Sequence, residues 1–495
     1  MSLLEMLIEP QVSTSVYEYL RGFIMSKVGH SFSDAVNVGQ LSSSRKVFRS
    51  SLDQSDKFSY YKLKLSARSA LTGVLNGLSE NADLAFFDFN QKRIGVSNNS
   101  GKQKESLFKV LDEGTYFVRV QRKSGAPKYR LALSIAAPPD EAGNTTPNAR
   151  PAAIGSAPAI FQDAVGAADS DDFYRIDNTV FSNLSLNLTG LSADANVQIL
   201  NSAGTVIRSS TASGTTSESI NAGLAAGTFF VRVFPGAGGG TTNYDLSLAL
   251  DPLKFVGLTD DNKLVSFSSG GSTSAAGIAV TGLQANEKLV GIDFRPATGE
   301  LFGVGDSSRL YALNATTGAA TAIGTLPLAT ALSGNNFGVD FNPVPDRLRV
   351  VSDTAQNLRL NPITGGIAGV DPNLSASGIV ASAYTNNRAG ANVTTLYSIN
   401  ATTDQLVIQG GINGTGAAAN NPNNGILNPV GALGVNFGSN VGFDIFTDGT
   451  GIENGFAVSG STLYNINLIT GAATVAGTVA SGSTPLNLVG LALTA

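Results

Sequence analysis

The sequence predicts an all-β chain: two β-sandwich modules followed by a β-propeller, with one short helix ahead of them. Three observations carry that prediction. A pattern of short strands recurs five times in the C-terminal half, and a longer pattern occurs twice in the N-terminal half at a constant offset of 113 residues. The composition fits, with 56 Gly among 495 residues and only 14% charged residues. Such chains suit short strands joined by many turns, because turns use Gly, Asn and Asp where helices would use charged residues.

Length and charge narrow the field further. A chain of 495 residues suggests about three domains. A net charge of -5 without a basic run argues against nucleic acid or an anionic membrane as partner. No stretch approaches the ~20 apolar residues of a membrane span. The chain has no Cys, which excludes thiol catalysis, disulfides and thiolate metal sites. Its one His, His30, lies ahead of the repeats, where a lone imidazole is read as inert.

Residues 1–30 read as a leader. MSLLEMLIEP carries Glu5, Glu9 and Pro10 where a secretory signal would be basic and then uninterruptedly apolar. Ser15 to Glu18 fits a capping box, and Val16, Leu20, Phe23 and Ile24 recur on one helical face, so a short amphipathic helix is expected over 15–27.

The sandwich modules are expected over 31–136 and, with a linker, over 137–250. Tyr61 and Tyr174, Glu105 and Glu218, Gly114 and Gly227, and Val118 and Val231 each differ by 113. In each copy alternation marks half-buried antiparallel strands: Tyr116, Val118 and Val120 point one way, Phe117 and Arg119 the other. The Pro- and Ala-rich stretch 136–151 separates the copies. The order of D-x-F-Y, then GLS with Asp or Asn, then E-S, then G-T-(Y/F)-F-V-R-V resembles the bacterial pre-peptidase C-terminal domain, twice over. That resemblance implies small β-sandwiches that serve as accessory units on secreted or surface proteins, often linked with calcium. In the second copy, Asp169, Asp171, Asp172, Asp194 and Asn196 are the candidate calcium ligands; Asp53, Asp56, Asn81 and Asp83 correspond in the first. Calcium takes six to eight oxygens from such groups, and the competing reading is that they cap turns.

The propeller is expected over 251–495. One unit, residues 289–326, reads as four strands, LVGIDF, ELFGVG, RLYALN and AATAIGTL, separated by turns at 297–299, 306–308 and 316–318. The small residue of the first strand falls at Gly291, Gly338, Ala381, Gly442 and Gly490, spaced by 47, 43, 61 and 48 residues. These spacings suit four-stranded blades. The long interval holds a Gly- and Asn-rich insertion, so five blades are expected, or six if the insertion forms its own sheet. The repeat starts out of phase, with the chain end supplying the first strand of the blade that the domain start begins. That would close the ring without a free sheet edge. GIDFRPATGELFGVGDSSRLYALNATTGAAT and VDFNPVPDRLRVVSDTAQNLRLNP resemble a bacterial domain-of-unknown-function family built on this repeat. The resemblance implies architecture and no catalytic residues.

Candidate chemistry in this half is sparse. Asp293, Asp340 and Asp444 share one repeat position, filled by Ala383 and Ala492 elsewhere. They could bind a cation or act as acid and base; alternatively each accepts hydrogen bonds and stiffens a blade junction. Arg349, Arg359 and Arg388 could hold a carboxylate or a glycan, the alternative being surface pairing of Arg347 with Asp346 or Asp353. The leading expectation is a non-catalytic exported or cell-surface protein with a binding, adhesive or structural role. Its partner would be an extracellular polymer, a glycan, a protein or a second copy. The alternatives are a hydrolase or lyase acting on an extracellular polymer through the Asp and Arg residues, and a self-assembling surface-layer or filament subunit.

Overall fold

A computed structural model describes residues 24–25, 29–136, 140–167, 169–238, 240–270, 277–414 and 421–493. Most of the expected leader helix lies outside these residues. Where the chain is described, Ile24–Met25 is a strand running parallel to Lys46–Ser51, so the helix expectation fails there. A sheet edge offers unpaired N–H and C=O groups, and pairing with it overrides the weak local preference for helix. No helix among the described residues is long and apolar enough to cross a membrane. The chain forms two compact units, Met1–Glu141 and Ala142–Ala495.

The first unit is a pair of five-stranded sheets. One runs in the order Ile24–Met25, Lys46–Ser51, Lys128–Ala136, Ser69–Asn76, Glu105–Leu111. The other runs Val36–Gln40, Phe58–Leu65, Gly114–Arg122, Ala82–Phe87, Arg93–Ser97. Alternate residues of both face inward, so Tyr61, Leu63, Leu71, Leu84, Phe86, Val118 and Leu131 make one core. The Tyr61 and Tyr129 hydroxyls meet inside it at 2.9 Å. The expected outer face of Gly114–Arg122 is partly covered. Phe117 is buried with Ala85 and Phe87 beneath Phe32, whose ring lies 5.1 Å from that of Phe117.

The second unit opens with sheets of the same order. Arg150–Pro151, Asp172–Asn178, Gly227–Pro235, Ala195–Asn201 and Val206–Ser210 form one; Ala159–Val165, Thr242–Pro252, Ser182–Thr189 and Glu218–Leu224 form the other. Corresponding residues of the two modules do the same work. Tyr174 meets Tyr244 at 2.7 Å, and buried Glu218 accepts from Ser210 as buried Glu105 accepts from Ser97.

Beyond residue 252 come five four-stranded antiparallel sheets. The first four begin with Leu289–Phe294, Phe337–Asn342, Ile379–Tyr384 and Val441–Thr447. The fifth is made from both ends: Leu488–Leu493 pairs with Lys254–Thr259, which continues to Lys263–Ser268 and Ile278–Ala279. These five first strands pack against one another in cyclic order, the fifth touching both the first and the fourth. The insertion, where described, contributes two short 3-10 turns and the strand Leu427–Ala432, which completes the third sheet.

Apolar packing fixes the second sandwich to this ring. Phe181, at the end of a sandwich strand, stands edge-on to Phe456 at 5.0 Å and to Phe446 at 6.4 Å. The Ser269 hydroxyl donates to the Phe181 carbonyl. Asp448 accepts the Gly223 N–H at 3.0 Å and faces Arg208 at 3.5 Å.

Candidate functional site

Every first strand of the ring alternates, so residues two apart share a face. Gly291 with Asp293, Gly338 with Asp340 and Gly442 with Asp444 therefore point the same way, and the structure brings the three carboxylates together. Each offers an oxygen within 4.8 Å of the others, and the residues are 1%, 1% and 0% exposed. The glycines matter to this approach. A Cβ on Gly442 would lie 2.4 Å from the Leu491 nitrogen, and one on Gly338 would lie 2.4 Å from the Ser382 hydroxyl. The five strands thus converge closely enough for three short side chains to meet.

Each carboxylate reaches the next strand of the ring. Asp293 Oδ2 accepts the Phe341 N–H at 2.7 Å, Asp340 Oδ1 the Tyr384 N–H at 2.9 Å, and Asp444 Oδ2 the Leu493 N–H at 2.6 Å. Where Ala383 leaves no such acceptor, Asp444 Oδ1 takes its own neighbour, the Ile445 N–H, at 2.6 Å. Burial pushes all three carboxyls above the usual carboxylate range. Asp444 reaches about 7, with the Leu493 and Ile445 N–H groups pulling it back. For Asp293 and Asp340 burial is joined by repulsion between the carboxylates.

Two larger cavities and one small pocket lie along the first strands, and the three aspartates line none of them. Ile292, Val339 and Phe443, each preceding an Asp, help to line a void of about 10 Å³. Phe294 and Ile445, which follow an Asp, and Leu493, whose N–H donates to Asp444, line an open cavity of about 390 Å³ with Arg295, Asn387 and Arg388. The opposite ends of the same strands, with Asp260, Lys288 and Asp306, line a cavity of about 290 Å³.

The three arginines separate. Arg349 is 1% exposed and spends its guanidinium internally. It donates to Tyr384 Oη at 2.8 Å, Asn357 Oδ1 at 2.5 Å and Asp371 Oδ2 at 3.0 Å, and also to Asn423 of the insertion. Arg359 grips the same Asp371 with two bonds of 2.8 and 2.7 Å. Only Arg388 is exposed, at the rim of the 390 Å³ cavity. The expected pairing of Arg347 is also corrected: Asp346 takes a forked bond from Arg295 of the preceding sheet, and Arg347 donates to the Pro345 and Asp346 carbonyls.

The five calcium candidates of the second sandwich do not all converge. Asp169 and Asp172 bring oxygens within 4.8 Å of each other. Asp171 turns to Arg232 at 2.5 Å, and Asp172 accepts the Tyr244 hydroxyl at 2.5 Å. Asp194 packs on Gly236, where a Cβ would come within 2.4 Å of its carboxylate, and Asn196 lies in the adjoining strand. In the first copy Asp53 caps the Ser55 and Asp56 N–H groups, and Asp83 faces Lys123 at 3.3 Å.

Sequence reading also passed over a set of structural asparagines. Asn314, Asn361, Asn400 and Asn467 each accept two N–H groups of the turn that follows, which leads from the third strand of a sheet to the fourth except at Asn400, where it leads from the second to the third. The signal was present in N-A-T-T-G and its relatives.

Two regions of the chain match known families. Residues 170–235 match the bacterial pre-peptidase C-terminal domain, and residues 263–492 match a domain of unknown function, DUF4394. Among solved structures, the chain is similar to the pre-peptidase C-terminal domain of a collagenase from Bacillus anthracis, at 16% identity over 22% of this chain and 100% of that one, with a TM-score of 0.18. It is also similar to a protein of unknown function from Bacteroides thetaiotaomicron VPI-5482, at 13% identity over 67% and 92%, with a TM-score of 0.34. A third is YCF48 from Cyanidioschyzon merolae, at 12% identity over 62% and 97%, with a TM-score of 0.27. No curated protein matches the chain.

Proposed function

We propose that this chain is a non-catalytic exported or cell-surface protein, in which a five-bladed propeller serves as a binding platform and two sandwich modules as accessory units. The observation that carries the reading is the use of the three repeat-position carboxylates. Each accepts a backbone N–H from a neighbouring strand, and none reaches solvent. Glycosidase chemistry needs two carboxyls about 5 to 9 Å apart across an open groove. Here the carboxyls are closer and sealed, and their bonds join sheets.

Support for the ring comes from five four-stranded sheets, the cyclic packing of their first strands, and the fifth sheet assembled from both ends of the domain. Support for export comes from the pre-peptidase C-terminal match at 170–235. The offset of 113 residues and the common strand order extend that reading to the first module. A platform would bind through the cavities at the two ends of the strands, where Arg388 is the remaining arginine open to an anionic polymer, glycan or protein. The bland charge balance favours none of these over the others.

Two measurements test the reading. Fractionation of cells producing the full chain should place it on washed cells or in the medium; confinement to the cytosol would count against export. Incubation with a panel of bacterial and plant polysaccharides should give binding without release of new reducing ends. Sustained depolymerisation by purified chain would restore the enzymatic alternative.

A further inference from the structure

We propose that Asp293, Asp340 and Asp444 together hold one hard divalent cation, calcium, at the centre of the ring. Three oxygens within 4.8 Å of one another can share the coordination sphere of an ion whose oxygen distances are about 2.3–2.6 Å. Carboxylate oxygens are the donors that calcium takes, and no nitrogen or sulfur ligand stands among them.

Proximity of acidic groups alone would not support a site, and a further feature points the same way. Asp293 Oδ1 is buried without a hydrogen-bond partner although the residue is 1% exposed. A buried carboxylate oxygen left unpaired costs free energy that a bound cation removes. An ion among the three could complete its shell with water and with the second oxygens of the carboxylates. The amide bonds to Phe341, Tyr384 and Leu493 are compatible with this, because a carboxylate oxygen has lone pairs for both.

The charge balance is also simple. Three ionised carboxylates facing one another in a dry site repel. One divalent ion leaves a single net negative charge, which the N–H dipoles can offset. This role is independent of whether the ring binds any outside partner.

The test uses the full chain. Metal content of the protein as purified should show one calcium that prolonged chelation removes, and millimolar calcium should then raise the midpoint of thermal unfolding. Asp293→Asn keeps an acceptor for the Phe341 N–H while removing the charge, so it should fold and bind calcium roughly tenfold more weakly or worse. Asp169→Asn should leave this binding unchanged, which separates the ring from the second sandwich. Should Asp293→Asn fail to fold, Asp340→Asn takes its place with the same expectation. Calcium that neither copurifies nor shifts the midpoint would overturn the proposal. So would calcium binding that Asp293→Asn and Asp340→Asn leave intact but Asp169→Asn abolishes.

Discussion

Asp444 carries burial against it and two backbone N–H groups in its favour, and burial wins by bringing its carboxyl up to about 7. In the unfolded chain the same group titrates near ~3.9. The folded value is the higher one, so the native state holds more protons between the two. Its contribution to stability is complete below the unfolded value and is lost as pH rises through about 7. Asp293 and Asp340 shift in the same direction. Chelated protein should therefore lose thermal stability as pH rises from about 4 to about 7, with each titrating group contributing up to ~1.4 kcal/mol per unit. Asp444→Asn should flatten that slope, and calcium should largely abolish it. A midpoint that climbs steadily to pH 8 in chelator would contradict the account. Asp448 behaves in the opposite sense. Burial raises it, but the Thr450, Ile452 and Gly223 donors outweigh burial and hold it below the usual range. What it contributes is present at neutral pH and lost only in acid, so the two windows can be told apart. Arg349 shows why single residues were hard to read. Its partners Asp371, Asn357 and Asn423 come from three separate segments, and a run of polar residues looks like surface until those segments meet. Replacing it by Ala leaves Asp371 its two bonds from Arg359 but takes a donor from the amide oxygens of Asn357 and Asn423, and should cost about 1–3 kcal/mol in a urea titration.

At the scale of the element, strands and turns were the most legible part. LVGIDF, ELFGVG and RLYALN become Leu289–Phe294, Leu301–Gly305 and Arg309–Leu313, because alternation and turn chemistry are local. The Asn-led turns were visible only as turn formers. Their second role is to accept the N–H groups two and three residues on with one amide oxygen, a local bond pattern that holds the turn itself. Asn467→Ala should cost about 1 kcal/mol in unfolding free energy. Glycines separate by what they face. Gly442→Ala would drive a Cβ to 2.4 Å from a backbone nitrogen and should cost about 1–3 kcal/mol. Gly155→Ala, with nothing within 4 Å, should be close to neutral by the same measurement. Equal effects at both positions would remove close approach as the reason for the repeated small residue. At residues 24–25 the outcome is the opposite: an amphipathic pattern suggested helix, and pairing of Ile24–Met25 with a sheet edge makes these two residues a strand.

At the scale of the whole molecule, closure of the fifth sheet joins residues more than two hundred positions apart. Leu488–Leu493 pairs with Lys254–Thr259 and accepts Asp444 through the Leu493 N–H. Removing residues 488–495 exposes one edge of Lys254–Thr259 and frees Asp444. The truncated chain should lose cooperative unfolding and aggregate, seen by calorimetry and light scattering. The sandwich joined to the ring should unfold with it. Asp448→Ala removes the contacts to Gly223 and Arg208, and should split one calorimetric transition of that unit into two. The sequence by itself determined the strand repeat, its phase, the 113-residue duplication and the recurrence of Asp at one position, since each is a matter of local period and spacing. Only the tertiary structure decided what that Asp does. A carboxylate's role depends on which N–H groups face it, how much water reaches it and how near the next carboxylate stands. Those distances arise when five distant strands close on one axis.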